Sequence, residues 1–200
     1  MDAAVFIVMH LSRTSISDFL FHKLGPLTGL KCEIAAEGAS IEKGYISIAV
    51  PNLHLLVKKN KIILGRGPEE NRWRPSIDIL FRSAAAAYSS RTIGVGLTGL
   101  LDDGTSGMHT IKRSGGTCIV QDPNWAEFPH MPLSVLNNMH VDYSIVLADM
   151  GEVIESITQT NPKEEAPPED VFIASEIAGR VVVAYENVKQ PGEKNYIRLP

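Results

Sequence analysis

The chain has 200 residues, enough for one ordinary domain with some chain to spare, and its 44% hydrophobic and 21% charged content matches soluble globular averages. Its 23 acidic and 19 basic residues leave a formal net charge of -4, which argues against a protein built to grip nucleic acid, because no basic excess exists to neutralise phosphates. The two cysteines, Cys32 and Cys118, are far apart; they make neither a disulfide framework nor a zinc spacing and fit a reducing compartment.

Residues 3–9 are apolar throughout and predict a strand buried on both faces, as in a parallel sheet. The run is far shorter than the roughly 20 residues a membrane span needs. The first base is Arg13, so the charged start of a signal peptide is lacking. The expectation is a cytoplasmic protein without membrane insertion. Ile16, Phe19, Leu20 and Leu24 then follow helical spacing, with Ser15 as cap and Gly25-Pro26 as stop.

Residues 45–50 predict a short strand, and residues 54–57 and 61–64 flank Lys58-Lys59-Asn60 as a hairpin with a basic turn. Pro75 is expected to open a helix that puts Ile77, Leu80, Phe81, Ala84, Ala85 and Tyr88 on one face. Strands at 92–98, 117–121 and 143–147 alternate with helices near 104–113, 132–139 and 151–157, which implies right-handed crossovers. The fold class expected is α/β: a doubly wound, mostly parallel sheet with helices on both faces and a small β-hairpin excursion. Residues 159–170 are rich in proline and acid and read as a linker, leaving residues 171–200 as a short C-terminal appendage with apolar runs at 171–173 and 181–184.

In open α/β sheets, ligands sit beyond the carboxyl ends of the strands. Three loops meet that test: His10 to Thr14, Gly99 to Gly104, and Asp122 to Trp125. The first two bring a histidine and a carboxylate, His10 and Asp103, to corresponding positions. A carboxylate bonded to one imidazole nitrogen fixes the tautomer and leaves the other nitrogen as a base. The bland alternative is that Asp102 or Asp103 simply caps the helix starting near Gly104. Gly94-x-Gly96-x-x-Gly99 spells a dinucleotide fingerprint, but it falls inside a predicted strand and is followed by Asp102 and Asp103, which would repel a pyrophosphate. Arg72 and Arg74, in the polar run 67–76, could steer an acidic partner or simply belong to a surface loop. His22, His54, His109, His130 and His140 show no paired spacing for a metal.

Several motifs in order then carry a resemblance. They are Val8-Met9-His10-Leu11; Gly67-Pro68-x-x-Asn71-Arg72-x-Arg74-Pro75-Ser76-Ile77-Asp78-x-Leu80-Phe81-Arg82-Ser83-Ala84; Leu97-Thr98-Gly99-Leu100-Leu101-Asp102-Asp103-Gly104-Thr105-x-Gly107; Val120-Gln121-Asp122-Pro123; and Phe128-Pro129-x-Met131-Pro132. Over about residues 1–157 the chain resembles the catalytic domain of CheB-type chemotaxis protein-glutamate methylesterases. The resemblance implies hydrolysis of glutamate methyl esters on methylated chemoreceptors to carboxylate and methanol, with glutamine deamidation in some members. It implies a Ser-His-Asp triad without cofactor or metal, whose histidine falls on His10 and whose aspartate falls on Asp103. The Asp102-Asp103 form of the loop resembles stand-alone relatives and those fused to a receptor methyltransferase, which becomes an expected partner.

The chain also departs from the family. The family's nucleophilic serine lies in a Gly-x-Ser-x-Gly-Gly turn after a strand that precedes the region matching Ala3, and no serine here has the equivalent place. Ser12 lies near His10, on the loop where the family usually has proline, and Trp73 stands where the family usually has histidine. The expectation is therefore an N-terminally truncated catalytic domain over residues 1–158, impaired as an esterase for want of its serine. The alternative is an inactive methylesterase-like module that binds chemoreceptors or a chemotaxis partner.

Overall fold

Short parallel strands joined by helices dominate the computed structural model of the chain, which describes residues 2–10, 16–160, 166–171 and 175. Strand β1 (Val5–Ile7), helix α1 (Ile16–Thr28), β2 (Lys31–Ile34) and β3 (Tyr45–Ile48) form a first parallel sheet in the order β1-β3-β2. An antiparallel hairpin, β4 (His54–Lys58) and β5 (Lys61–Gly65), follows and pairs Lys58 with Lys61 across its turn. Helix α2 (Ile77–Tyr88) leads to β6 (Ile93–Gly96), α3 (Thr105–Arg113), β7 (Thr117–Gln121), α4 (His130–Asn138), β8 (Tyr143–Ile145) and α5 (Leu147–Thr158). Strands β6, β7 and β8 make a second parallel sheet in that order. The α/β class, the parallel pairing and the hairpin agree with the sequence reading.

Three details differ from it. The strand at 3–9 shortens to β1, and its three side chains are only half-buried. Its pairing explains this: among the described residues β1 has a strand on one edge only, β3, and β6 likewise pairs only with β7. Strand β2 was not expected; Lys-Cys-Glu-Ile is a four-residue edge strand with no apolar run to announce it. Helix α1 does not stop at Gly25-Pro26 but runs to Thr28 and ends at Gly29, whose φ of +65° is the left-handed conformation that closes a helix without steric penalty. The expected cap Ser15 and the loop residue Ser12 lie outside the described residues.

Two apolar clusters hold the site in place. One packs Ala85, Met108, Ile111, Cys118, Val120, Val135, Val141 and Val171 between α2, α3, α4 and the second sheet. The other packs the hairpin residues Leu55, Val57, Ile62 and Leu64 against Leu80 of α2, with Phe6 and Val8 at its margin. Helix α2 thus lies in both clusters and links the sheet halves. Gly94, the first glycine of the G-x-G-x-x-G pattern, is buried in β6, and a Cβ there would stand 2.7 Å from Ile111 Cδ1, so its missing side chain admits α3. Val171, which opens the expected appendage, is buried in the first cluster; residues 161–165, in the expected linker, and 181–184 lie outside the described residues.

Candidate active site

His10 follows β1 and Asp103 ends the loop after β6, and the structure brings them together. His10 Nε2 lies 2.6 Å from Asp103 Oδ2. Leu101 (φ 67°) and Gly104 (φ 100°) take left-handed conformations on either side of the aspartate pair. Asp103 is buried at 2% exposure, while Asp102 next to it is exposed. An ionised carboxylate only accepts, so the shared hydrogen sits on Nε2 and a neutral His10 keeps its lone pair on Nδ1.

The helix that Asp103 caps is α2, not the α3 that follows it in sequence. Its Oδ2 accepts from Ile77 N at 2.7 Å, and its Oδ1 accepts from Asp78 N at 3.2 Å and from the Ser76 hydroxyl at 2.9 Å. Ser76, the N-cap of α2, makes no side-chain cap bond of its own, because its hydroxyl is spent on Asp103. Pro75 therefore sits one place before the cap rather than at the first helical position. The Asn71 amide adds a further bond to Oδ1 at 3.0 Å. Burial alone would push the Asp103 carboxyl up. The hydrogen bonds from His10, Ile77, Asn71 and Ser76 outweigh it and hold the group below the usual carboxylate range. The exposed N–H groups and positive end of α2 favour the same charge.

The far side of the His10 ring is differently furnished. Trp73 stacks on the imidazole, with ring centroids 4.3 Å apart and planes 4° from parallel. His10 Nδ1 and Trp73 Nε1 are both buried without a hydrogen-bond partner among the described residues. Both residues line a cleft of about 140 Å³ that Met9, Asn52, Ser17 and Arg72 also border. The Ser17 hydroxyl donates to Ala49 O at 2.8 Å and is not presented to His10.

The polar run 67–76 turns out to be the scaffold of the site. Arg74 donates to Asn52 Oδ1 from Nε at 3.0 Å and from Nη2 at 2.6 Å, and to Gly67 O from Nη1 at 2.8 Å, so it braces the loop. Arg72 is exposed at the cleft. His54, fully buried, receives Ser76 N–H on Nδ1 at 3.3 Å and lies 2.8 Å from Pro68 O through Nε2. Burial holds its pKa below the ordinary 6.5, with Arg74 adding to the effect. Asp78, in the first turn of α2, is buried and accepts from Gly107 N of α3 at 2.6 Å and from Asn71 Nδ2 at 2.7 Å. Burial and the nearby Asp103 charge push its carboxyl up, against the Gly107 bond, Arg82 and Asn71. Sequence reasoning assigned no role to Asn71, Ser76 or Asp78. The signal that could have found them is a dense polar run ending at a helix start, where backbone N–H groups await an acceptor.

Among the described residues, no group of three His, Cys, Asp or Glu could hold a metal ion, and no helix is long and apolar enough to cross a membrane.

Comparison with known proteins gives the family. The model of the CheB methylesterase family matches residues 1–154. A Leptospira interrogans protein provisionally named protein-glutamate methylesterase/protein-glutamine glutaminase is 38% identical over 158 residues, which is 78% of this chain and 81% of that protein. A Methanosarcina acetivorans protein-glutamate methylesterase/protein-glutamine glutaminase is 33% identical over 77% of this chain, which spans only 45% of that longer protein. The crystal structure of the Thermotoga maritima CheB methylesterase catalytic domain superposes with a TM-score of 0.74 at 29% identity, covering 78% of this chain and 84% of that one. A catalytic-domain fold, a relative 38% identical over most of both chains and a family match across three quarters of the sequence lead to one conclusion: the chain belongs to the CheB methylesterase family.

Proposed function

We propose that the chain works as a carboxylic ester hydrolase on methylated chemoreceptors, cleaving glutamate side-chain methyl esters to carboxylate and methanol, with glutamine deamidation as the related reaction on an amide. The observation that carries this reading is the His10–Asp103 pair at 2.6 Å, with the opposite ring nitrogen buried and unpartnered among the described residues, in a residue that lines a cleft. In the proposed cycle Nδ1 of His10 takes the proton of an attacking serine hydroxyl as the C–O bond forms. Asp103 stabilises the imidazolium, and the same proton goes to the departing methoxide to give methanol. Water then repeats the sequence on the acyl-enzyme and frees the carboxylate and the serine.

None of the described residues partners His10 Nδ1, and the 200 residues hold no Gly-x-Ser-x-Gly-Gly turn to supply the attacking hydroxyl. The proposed impairment of this chain as an esterase rests on that missing turn. The catalytic unit of this reading is residues 1–158, joined by 159–170 to the appendage 171–200. The reading includes a cytoplasmic site of action, supported by the cysteine usage, and a receptor methyltransferase as a partner, supported by the form of the Asp102-Asp103 loop.

The experiment measures methanol release from methylated receptor by this chain and by a version extended upstream with a strand and a Gly-x-Ser-x-Gly-Gly turn. Activity in the extended form alone supports the proposal, including the impairment. Full activity in the short form, abolished by His10→Ala, overturns the impairment. Silence of both forms, each folded, overturns the esterase reading and leaves a receptor-binding module.

A further inference from the structure

We infer that Asn71 is a positioning residue for the His10–Asp103 pair, and that Asp78 sets the orientation of Asn71. One carboxamide nitrogen, Nδ2 of Asn71, lies 2.7 Å from Asp78 Oδ2 and 3.0 Å from Asp103 Oδ1. That nitrogen carries two hydrogens, one for each carboxylate, so a single side chain joins two buried acids. The reversed amide would aim its oxygen at both carboxylates and lose both bonds, so the charge of Asp78 selects the orientation that serves Asp103. Asp78 is fixed in turn by Gly107 N at 2.6 Å, across the contact between α2 and α3.

This arrangement has a reason in electrostatics. Two buried carboxylates this close repel, and without a donor between them one would take up a proton. The groups facing the pair are His10 on Oδ2 of Asp103 and Arg82 near Asp78, with His54 behind the Ser76 turn. Arg82 is engaged with Glu70. Among the described residues, Asn71 is the one side chain bonded to both acids. Its backbone stands at φ 51°, a conformation asparagine tolerates better than most residues and one that turns its amide inward while the residue as a whole remains exposed. The chain of contacts from Gly107 through Asp78, Asn71 and Asp103 to His10 therefore ties the reacting imidazole to the α2–α3 packing.

The catalytic consequence rests on the proposed function, but the positioning itself does not, and the test separates the two. The carboxyl carbon of Asp103 and the ring nitrogens of His10 are followed by NMR across pH in the full chain, in Asn71→Gly and in Asp78→Asn. Glycine accepts the left-handed backbone and deletes only the amide. Asn71→Gly is expected to raise the Asp103 titration midpoint by about one pH unit, the order expected for one hydrogen bond to a charged group. It should also move the His10 nitrogens from a single-tautomer pattern towards an averaged one. Asp78→Asn, readable even where the glycine variant fails to fold, replaces one of the two carboxylate oxygens that accept separately from Asn71 Nδ2 and Gly107 N, and should shift His10 in the same direction, by less. A lower thermal midpoint with unmoved Asp103 and His10 signals would reduce Asn71 to a loop anchor and overturn the inference. In an extended form that releases methanol, Asn71→Gly should lower kcat about tenfold, one pH unit of lost stabilisation, with KM unchanged; an unchanged kcat there also overturns it. NMR shifts in a chain whose extended form is silent support the positioning and count against the esterase reading alone.

Discussion

The two sides of the His10 ring are built on opposite principles. On the Nε2 side, Asp103 is 2% exposed and accepts from five donors: His10, Asn71, Ser76 and the backbone of Ile77 and Asp78. On the Nδ1 side, two buried polar atoms, His10 Nδ1 and Trp73 Nε1, have no partner among the described residues. A buried polar group left unpaired costs roughly 1–3 kcal/mol, so a fold that satisfies one side so fully and leaves the other bare has a reason to do so. The satisfied side is scaffold, held by groups that need not move. The bare side holds the polar atoms that the described residues leave unpaired. Trp73 stacks on the imidazole and keeps its plane, while its own N–H is buried without a partner among the described residues.

The largest effect should come from cutting the satisfied side at its centre. In an extended form with measurable methanol release, Asp103→Asn keeps the shape but presents an amide to Nε2. Turnover should fall on the order of 10⁴-fold, the loss seen when a triad carboxylate is neutralised and the histidine takes the wrong tautomer. A loss below tenfold would show that the carboxylate caps α2 and does little for His10.

Next in size is the support behind that scaffold. A Cβ at Gly107 would stand 2.5 Å from Phe81 Cβ and 3.2 Å from Asp78 Cα, so α2 and α3 must separate to admit it. Gly107→Ala should cost about 1–3 kcal/mol in urea unfolding, the usual range for overpacking. A neutral result would mean that the helix contact does not hold the Asp78–Gly107 bond.

A smaller effect lies in His54, which braces the same turn through Ser76. Its folded pKa is depressed by burial, so the unfolded chain binds the extra proton first as pH falls. The contribution is full above the ordinary value of 6.5 and is lost as pH drops below it towards the folded value. Stability measured from pH 8 down should therefore decline below about 6.5, and His54→Gln should flatten that part of the curve. Asp103 works in a separate window. With its folded pKa depressed below 3.8, its contribution is present above that value and is lost only as pH falls further through the folded pKa.

The smallest effect sharpens the contrast between scaffold and surface. Lys43 Nζ meets Asp2 Oδ1 at 2.8 Å, but both side chains are about 70% exposed. Solvent screens such a pair, and Lys43→Ala should leave the denaturation midpoint unchanged within error. A measurable drop would mean that β1, which among the described residues is paired on one edge only, depends on its terminal contacts.

Much of this protein was written in residue order. The apolar runs and their spacing foretold the strands, the hairpin and the helices after Thr92, because burial patterns with periods of two and 3.6 are local properties. They also put His10 and Asp103 at the carboxyl ends of strands, and the ordered motifs pointed to the family. Tertiary structure alone decided what Asp103 caps. The sequence suggested α3, next to it in the chain, whereas folding delivers the carboxylate to the start of α2, where it accepts from Ile77 N and Asp78 N. The same holds for Asn71, which reaches a carboxylate 32 positions away, and for β2, whose four residues become a strand only because β3 offers an edge. Such pairings depend on which surfaces meet in three dimensions, and a chain's local pattern records only which surface each element will bury.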